Sequence, residues 1–446
     1  HDKFPFSVAF RAICPSKVPM CSALTQHRNR MSDSGLLLES LLHDRDIEHL
    51  PPVGWTMVNV AVVGAGQTKF GTHALGMKGM WHEASLEAIS SVDHDFSLDM
   101  VDEAYIGSTA FGGGQIGNTA ALMTEHSGMV GVPTRRVENA CASSGFAFRD
   151  AWMAVKSGAA KIAIAGGIEK MNDLESERKR FWLGVSGDTE WERMAGLTFP
   201  ATYALMARKY FHDYHSTHDD LVHISVKNHK HGLYNQKAHL QKEVTFEKAA
   251  NGKLVADPLS LYDCCPTSDG ASCVILAAED VVQSLTDTPV WVNGSGAGSD
   301  YLALHDRRSI TTLDATKSAA KQAFQASGLE AKDIDIAEVH DCFTIAELLA
   351  VEDLGFVDKG EGGQFSRENR GLLNQGKLTV NPSGGLKAKG HPLGATGTGQ
   401  IVEIFNQLRG NVESQRQVRD AEFGLTHNVG GSGATCAVHI FGREII

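Results

Sequence analysis

The sequence predicts an α/β fold of two similar βα halves, with a loop domain inserted into the first half. Three observations predict it. Apolar strands that run into glycines recur in both halves, each half carries a glycine-stopped helix followed by a strand, and the two halves end on matching segments.

Taken in order, Val58–Gly66 (VNVAVVGAG) alternates apolar residues and reads as a strand with its turn, and Val290–Gly298 (VWVNGSGAG) repeats it. A helix is expected from Ala142 to Ser157, stopped by Gly158 and with Lys156 set against its last carbonyls. Ile162–Ala165 follows as a buried strand. The second half repeats the pair, with a helix over Ala395–Leu408 stopped at Gly410 and a strand over Phe423–Thr426. The echo closes with Gly270-Ala271-Ser272-Cys273-Val274 against Gly433-Ala434-Thr435-Cys436-Ala437. Alternating strands and helices argue for mainly parallel sheets, packed about a pseudo-twofold axis with the site between them. The stretch from Cys141 to Cys273 is far longer than that from Gly394 to Cys436. The excess falls between Ile168 and Cys264, in a polar, irregular segment. The expected division is an N-terminal extension (1–55), a first half (56–173), the loop domain (174–263), the first half's final strands (264–287) and a second half (288–446).

Composition excludes several classes. The 446 residues carry 41 Lys and Arg against 53 Asp and Glu, a net charge of −12, so a uniformly basic nucleic-acid binder is not expected. No apolar run approaches the roughly 20 residues of a membrane-spanning helix, so no membrane insertion is expected. The eight cysteines show no zinc-ligand spacing, and a chain of this size needs no disulfide staples. Free thiols in a reducing compartment follow. From Lys3 to Met31 there are five basic residues and no acid, the composition of an organelle transit peptide. The last residues, Arg443-Glu444-Ile445-Ile446, are not an S-K-L-type signal. Mitochondrial import is the expectation, with a peroxisome or glycosome as the alternative.

Four corners carry the chemistry. Cys141 lies where a strand turns into a helix, so the helix dipole and free N–H groups favour its thiolate and could hold an oxyanion. His391, in Gly390-His391-Pro392-Leu393-Gly394, enters the symmetry-related helix and could take the thiol proton. The glycines of Asn381–Gly397 suggest backbone close to a bound ligand. His340-Asp341-Cys342-Phe343 sits at another strand end, and His427-Asn428-Val429-Gly430-Gly431 offers backbone donors. Lys227, Lys230 and Lys237 lie in an acid-free run, Leu221–Lys242, which reads as a phosphate-binding surface or a solvated helix face. Cys264, Cys265, Cys273 and Cys436 read as packing residues. Gly64-Ala65-Gly66 lacks the third glycine of a dinucleotide turn, because Lys69 stands there.

From about Val58 to the C-terminus the chain resembles the thiolase superfamily, and within it the sterol carrier protein type. GHPLGATG and HDCF carry the resemblance. It implies a five-layered αβαβα fold and a 3-oxoacyl-CoA thiolase, an acetyl-CoA C-acyltransferase active as a homodimer. CoA is then a substrate, with no cofactor and no metal. The resemblance makes Cys141 the acylated nucleophile and His391 its activator. His340 and His391 would form one oxyanion hole, the N–H groups of Cys141 and Gly430 the other, and Cys342 would be the acid/base. Lys227, Lys230, Lys237, Gly390 and Asn428 would lie against CoA or substrate. Ser144 stands where the family usually has glycine, and Asn428 where most members have a second cysteine. No sterol-carrier domain follows, so sterol transfer is not expected. Acetoacetyl-CoA synthesis and a non-catalytic acyl-CoA or lipid-binding protein are the competing readings.

Overall fold

The computed structural model describes residues 57–446; the expected targeting segment, with Cys14 and Cys21, lies outside the described residues. Strands β1 (Val60–Gln67), β2 (Glu103–Gly107), β3 (Thr134–Val137), β4 (Ile162–Glu169) and β7 (Gly270–Ala278) form the first half's sheet. A small hairpin, β5 (Leu254–Ala256) and β6 (Leu259–Ser260), lies in the insert. The second half supplies β8 (Val290–Ser299), β9 (Ile336–Glu338), β10 (Thr379–Val380), β11 (Phe423–Gly430) and β12 (Thr435–Gly442).

Strand order shows the internal symmetry directly. The first half reads β3-β2-β4-β7-β1 and the second reads β10-β9-β11-β12-β8, joined by a short antiparallel pairing of β1 with β8. The expectation of mainly parallel sheets needs correction. In each half two pairings are parallel and two antiparallel, because the last strand returns next to its predecessor through a tight turn or the insert.

Helix α1 (Met77–Ser90) covers the outer face of the first sheet, and α2 (Ser143–Lys156) lies on its inner face. The insert carries α3 (Phe199–Tyr214) and α4 (His218–Gly232). It is therefore substantially helical where the sequence looked irregular. Thr217 and Asp220 close a capping box at the start of α4, and its apolar stripe packs inward. In the second half α5 (Asp314–Ser327) covers the outer face, α6 (Thr344–Asp353) leaves the HDCF corner, and α7 (Gly385–Lys389) precedes His391. Helix α8 (Thr396–Arg409) meets α2 in the middle, which completes the five layers.

The repeated glycines have a different job from the one expected. They lie within β1 and β8, not in turns after them. A Cβ at Gly294, Gly296 or Gly298 would run into the carbonyls of Ala323, Ala319 and Ala315 on α5, and one at Gly64 or Gly66 into the backbone of α1. Glycine on the strand and alanine at four-residue spacing on the helix let the two backbones touch. The glycines before and within α8 act likewise. A side chain on Gly394 would collide with the carbonyls of Ile168 and Gly107, and one on Gly397 with Gly145 and Asn428. The backbone they approach belongs to the other half, not to a ligand.

Candidate active site

Cys141 sits on a turn held by its neighbours. Ala140 adopts φ 50°, and the Ala142 and Ser143 amides donate to Asn139 and Ala140 carbonyls. The Ser143 hydroxyl donates to the Ala140 carbonyl at 2.6 Å and accepts from the Asn139 amide. Ser144, where a glycine was expected, is buried and accepts from the Thr398 amide at 3.0 Å, while Gly145 takes the helix-crossing point.

His391 approaches from the other half. Gly390, at φ 113°, lies in a region that favours glycine, and a Cβ there would meet Ser268. This turn sets the His391 amide on Ser268 Oγ at 3.2 Å. Gly390 is thus a residue that the turn itself requires. His340 follows β9, and its amide donates to His427 Nδ1 at 3.3 Å. Nitrogens of His340 and His391 and the sulfur of Cys141 lie within 4.8 Å of one another. The two rings meet edge to face with centroids 5.1 Å apart.

The hydrogen-bond partners assign the tautomers. Thr396 Oγ1 donates its proton to the Pro392 carbonyl at 2.9 Å, so at 2.7 Å it accepts from His391 Nδ1–H. That leaves a lone pair on His391 Nε2. Asn428 Nδ2 donates to the Cys141 carbonyl at 3.0 Å and faces His340 Nδ1 at 3.3 Å, so His340 Nδ1 accepts and Nε2 carries the proton. Both Nε2 atoms are buried with no protein partner. One imidazole thus presents a base to the site and the other a donor. Asn428 Nδ2 is a positioning group, while its Oδ1 is buried with no protein partner.

Electrostatics follow from burial. The Cys141 thiol is pushed up to about 12 by desolvation, against the pull of the Gly431 and Cys141 N–H groups. Loss of water thus outweighs the pull of the helix start that favours the thiolate. Burial also lowers His391 to about 3 and holds His340 well below the usual imidazole range, so both rings are neutral near pH 7. Cys342 is raised well above an ordinary thiol, chiefly by burial. The N–H that reaches Cys141 sulfur beside its own is that of Gly431, whereas Gly430, expected there, still pairs with Thr435 in the β11–β12 ladder.

Cys141, Cys342, His391 and Gly431 line one cavity of about 210 Å³, walled by apolar side chains that include Met171, Phe199, Phe343 and Leu393. Cys264 and Cys265 also line it, so they are wall residues and not only packing. Cys273 and Cys436 lie in the core, as read from sequence. Cys141, His340 and His391 could also be considered as metal ligands. The fit is poor, because their outer nitrogens meet a hydroxyl and an amide, with no carboxylate or carbonyl to fix and strengthen them.

The lysines divide. Lys227 is buried, paired with Glu347 at 3.0 Å and bonded to the Val380 carbonyl at 2.9 Å. Lys237 reaches Glu87 at 2.6 Å and the Gln67 carbonyl at 2.7 Å. Both are structural ties, contrary to expectation, because carboxylates distant in sequence neutralise them. Lys230 is exposed on α4.

Asp341, named in the sequence only as part of its motif, and Tyr203, which sequence reasoning missed, complete the corner. Asp341 accepts from the Leu386 amide at 2.6 Å and from Asn228 at 2.7 Å, and so ties the HDCF corner to the segment before His391. Tyr203, from the insert, stacks on Phe343 with centroids 4.6 Å apart. Only its spacing on an amphipathic helix could have flagged it.

Comparison with known proteins agrees with this geometry. Residues 60–280 match the model of the thiolase N-terminal domain, and residues 296–443 match the thiolase C-terminal domain-like model. The chain is 47% identical over 389 residues to an acetyl-CoA acetyltransferase of Methanothermobacter thermautotrophicus, covering 87% of this chain and 100% of the relative. It is 34% identical to human sterol carrier protein 2 over 85% of this chain and 71% of that protein. Among solved structures, the Ltp2-ChsH2(DUF35) aldolase superposes with a TM-score of 0.74 at 24% identity, covering 87% of this chain and 99% of that chain. Human mitochondrial 3-ketoacyl-CoA thiolase superposes at 0.66 with 18% identity, covering 87% and 99%. Two matched domains, a relative 47% identical over its whole length and a shared five-layered fold lead to one conclusion: this chain belongs to the thiolase family of acyltransferases.

Proposed function

We propose that the protein is a thiolase of the HDCF type that cleaves 3-oxoacyl-CoA with CoA, through an acyl group on Cys141. The observation that carries this is the pair of buried imidazoles in opposite tautomers, both beside the Cys141 thiol, with Cys342 on the same apolar cavity. His391 Nε2 takes the Cys141 proton as sulfur attacks the 3-oxo carbon. The bond between carbons 2 and 3 then breaks, and the released acetyl-CoA enolate is held by His340 Nε2–H and the newly protonated His391. Cys342 protonates its carbon. A second CoA attacks the acyl thioester, whose oxygen lies against the N–H groups of Cys141 and Gly431. With 2-methyl substrates the released unit is propanoyl-CoA. The exposed Lys230 and Lys242 are the remaining lysines of the run, and Lys230, on α4, is the one assigned to a CoA phosphate.

Acetoacetyl-CoA synthesis uses the same residues in reverse, and the acetyl-CoA acetyltransferase names of the two archaeal relatives favour it as a second reading. A purely lipid-binding role would leave the orphaned donor and base without a purpose. Steady-state thiolysis of straight and 2-methyl 3-oxoacyl-CoAs, with the condensation of acetyl-CoA alongside, tests both. Cleavage with acyl-Cys141 supports the reading, and no CoA-dependent reaction in either direction contradicts it. A homodimer and mitochondrial delivery belong to the same proposal, the second readable from a reporter fused to residues 1–50.

A further inference from the structure

The Tyr203 hydroxyl stands between the two thiol corners. It is fully buried, stacked on Phe343, and donates to the Gly431 carbonyl at 3.2 Å. The same Gly431 directs its N–H at Cys141 sulfur. Cys342 packs in the same buried cluster as Tyr203 and Phe343, and its sulfur is the second group to which that hydroxyl can turn. A hydroxyl has one proton to give, and here it has two acceptors, one of which changes charge during the proposed reaction.

We propose that Tyr203 is a positioning residue whose hydroxyl follows the charge on Cys342, donating to the Gly431 carbonyl beside the thiol and turning to sulfur when the thiolate forms. The inference rests on the reading of Cys342 as the acid/base. When Cys342 protonates the enolate, its S–H bond breaks, a C–H bond forms, and a thiolate remains. Tyr203 keeps its proton and only rotates. When the incoming CoA thiol gives its proton back to Cys342, the hydroxyl returns to Gly431.

The surroundings make such a donor necessary. Neutral thiols of Cys141 and Cys265 and the carboxyl of Asp341 face Cys342, and burial and Asp341 disfavour a negative charge on its sulfur. The Phe343 N–H and the Tyr203 hydroxyl are the groups that favour it. A charge-assisted hydrogen bond to a buried thiolate is worth more than the neutral bond to a carbonyl, which gives the rotation its direction.

Tyr203→Phe keeps the stack on Phe343 and removes the hydroxyl. Alkylation by iodoacetamide, resolved for each cysteine by mass spectrometry across pH, reads the two sulfurs separately. The expected result is that Cys342 labelling at pH 9 falls at least tenfold while Cys141 labelling changes less than twofold. In turnover kcat falls with KM nearly unchanged. Unchanged Cys342 labelling, or an equal fall at both cysteines, overturns the proposal; Tyr203→Leu, which loses the stack as well, marks what a packing defect looks like. Cys342→Ala separates the underlying reading, because full thiolysis by that variant would remove the acid/base role whatever Tyr203→Phe shows.

Discussion

His391 Nδ1 lies 2.7 Å from Thr396 Oγ1, and the Thr396 proton is already committed to the Pro392 carbonyl. The single turn from His391 to Thr396 therefore decides which nitrogen of the imidazole is basic. Thr396→Val keeps the shape and removes the lock. We expect kcat to fall roughly 10- to 100-fold, as when an orienting partner of a base is lost, with KM within twofold. An unchanged kcat would mean that the tautomer is set elsewhere.

Asn428 does the corresponding work for His340 and also holds the Cys141 carbonyl. Asn428→Ala leaves both buried acceptors without a donor. A stability loss of about 1–3 kcal/mol is expected, together with slower turnover. Denaturant melts and kinetics on the folded protein separate the two effects.

The pH dependence of Cys141 has a definite sign. Burial lifts the thiol to about 12 while His391 stays neutral down to about 3, so the resting pair is uncharged near pH 7. Site-resolved alkylation of Cys141 should therefore climb steeply from pH 7 to pH 10 without a plateau. A preformed thiolate–imidazolium pair would instead give a rate that is flat above pH 5.

Lys227 and Lys230 lie three residues apart in α4 and should behave as opposites. Lys227→Ala leaves buried Glu347 without its cation, a loss of about 3–5 kcal/mol for a broken buried pair. The KM for CoA in the folded protein should stay unchanged. Lys230→Ala should leave the melt unchanged and raise the KM for CoA. Thermal melts and CoA titrations of the two variants check this, and a raised KM in Lys227→Ala would restore it as a CoA contact.

How far the sequence shows all this depends on the range of the interaction. The internal echo, the two glycine-stopped helices and the corners at Cys141, His340, Cys342 and His391 are local patterns, and they could be read directly. Lys227 and Lys237 could not, because Glu347 and Glu87, which neutralise them, are remote in sequence. The glycines of β1 and β8 looked like turns, since the alanines of the covering helices that require them lie elsewhere in the chain. The ionisation of Cys141 depends on how deeply two halves bury it, which no motif records. Tyr203 comes from the insert and belongs to no pattern until the insert folds against Phe343.

The central claim is that Cys141 carries the acyl group while Cys342 serves only proton transfer. The most direct measurement is mass spectrometry of the protein quenched in acid after mixing with a 3-oxoacyl-CoA, in native and Cys342→Ala forms. The account predicts one acyl group, found on the Cys141 peptide of the native protein, with CoA-dependent turnover lost in Cys342→Ala. An acyl group on Cys342, or no adduct on Cys141 during active thiolysis, would contradict it.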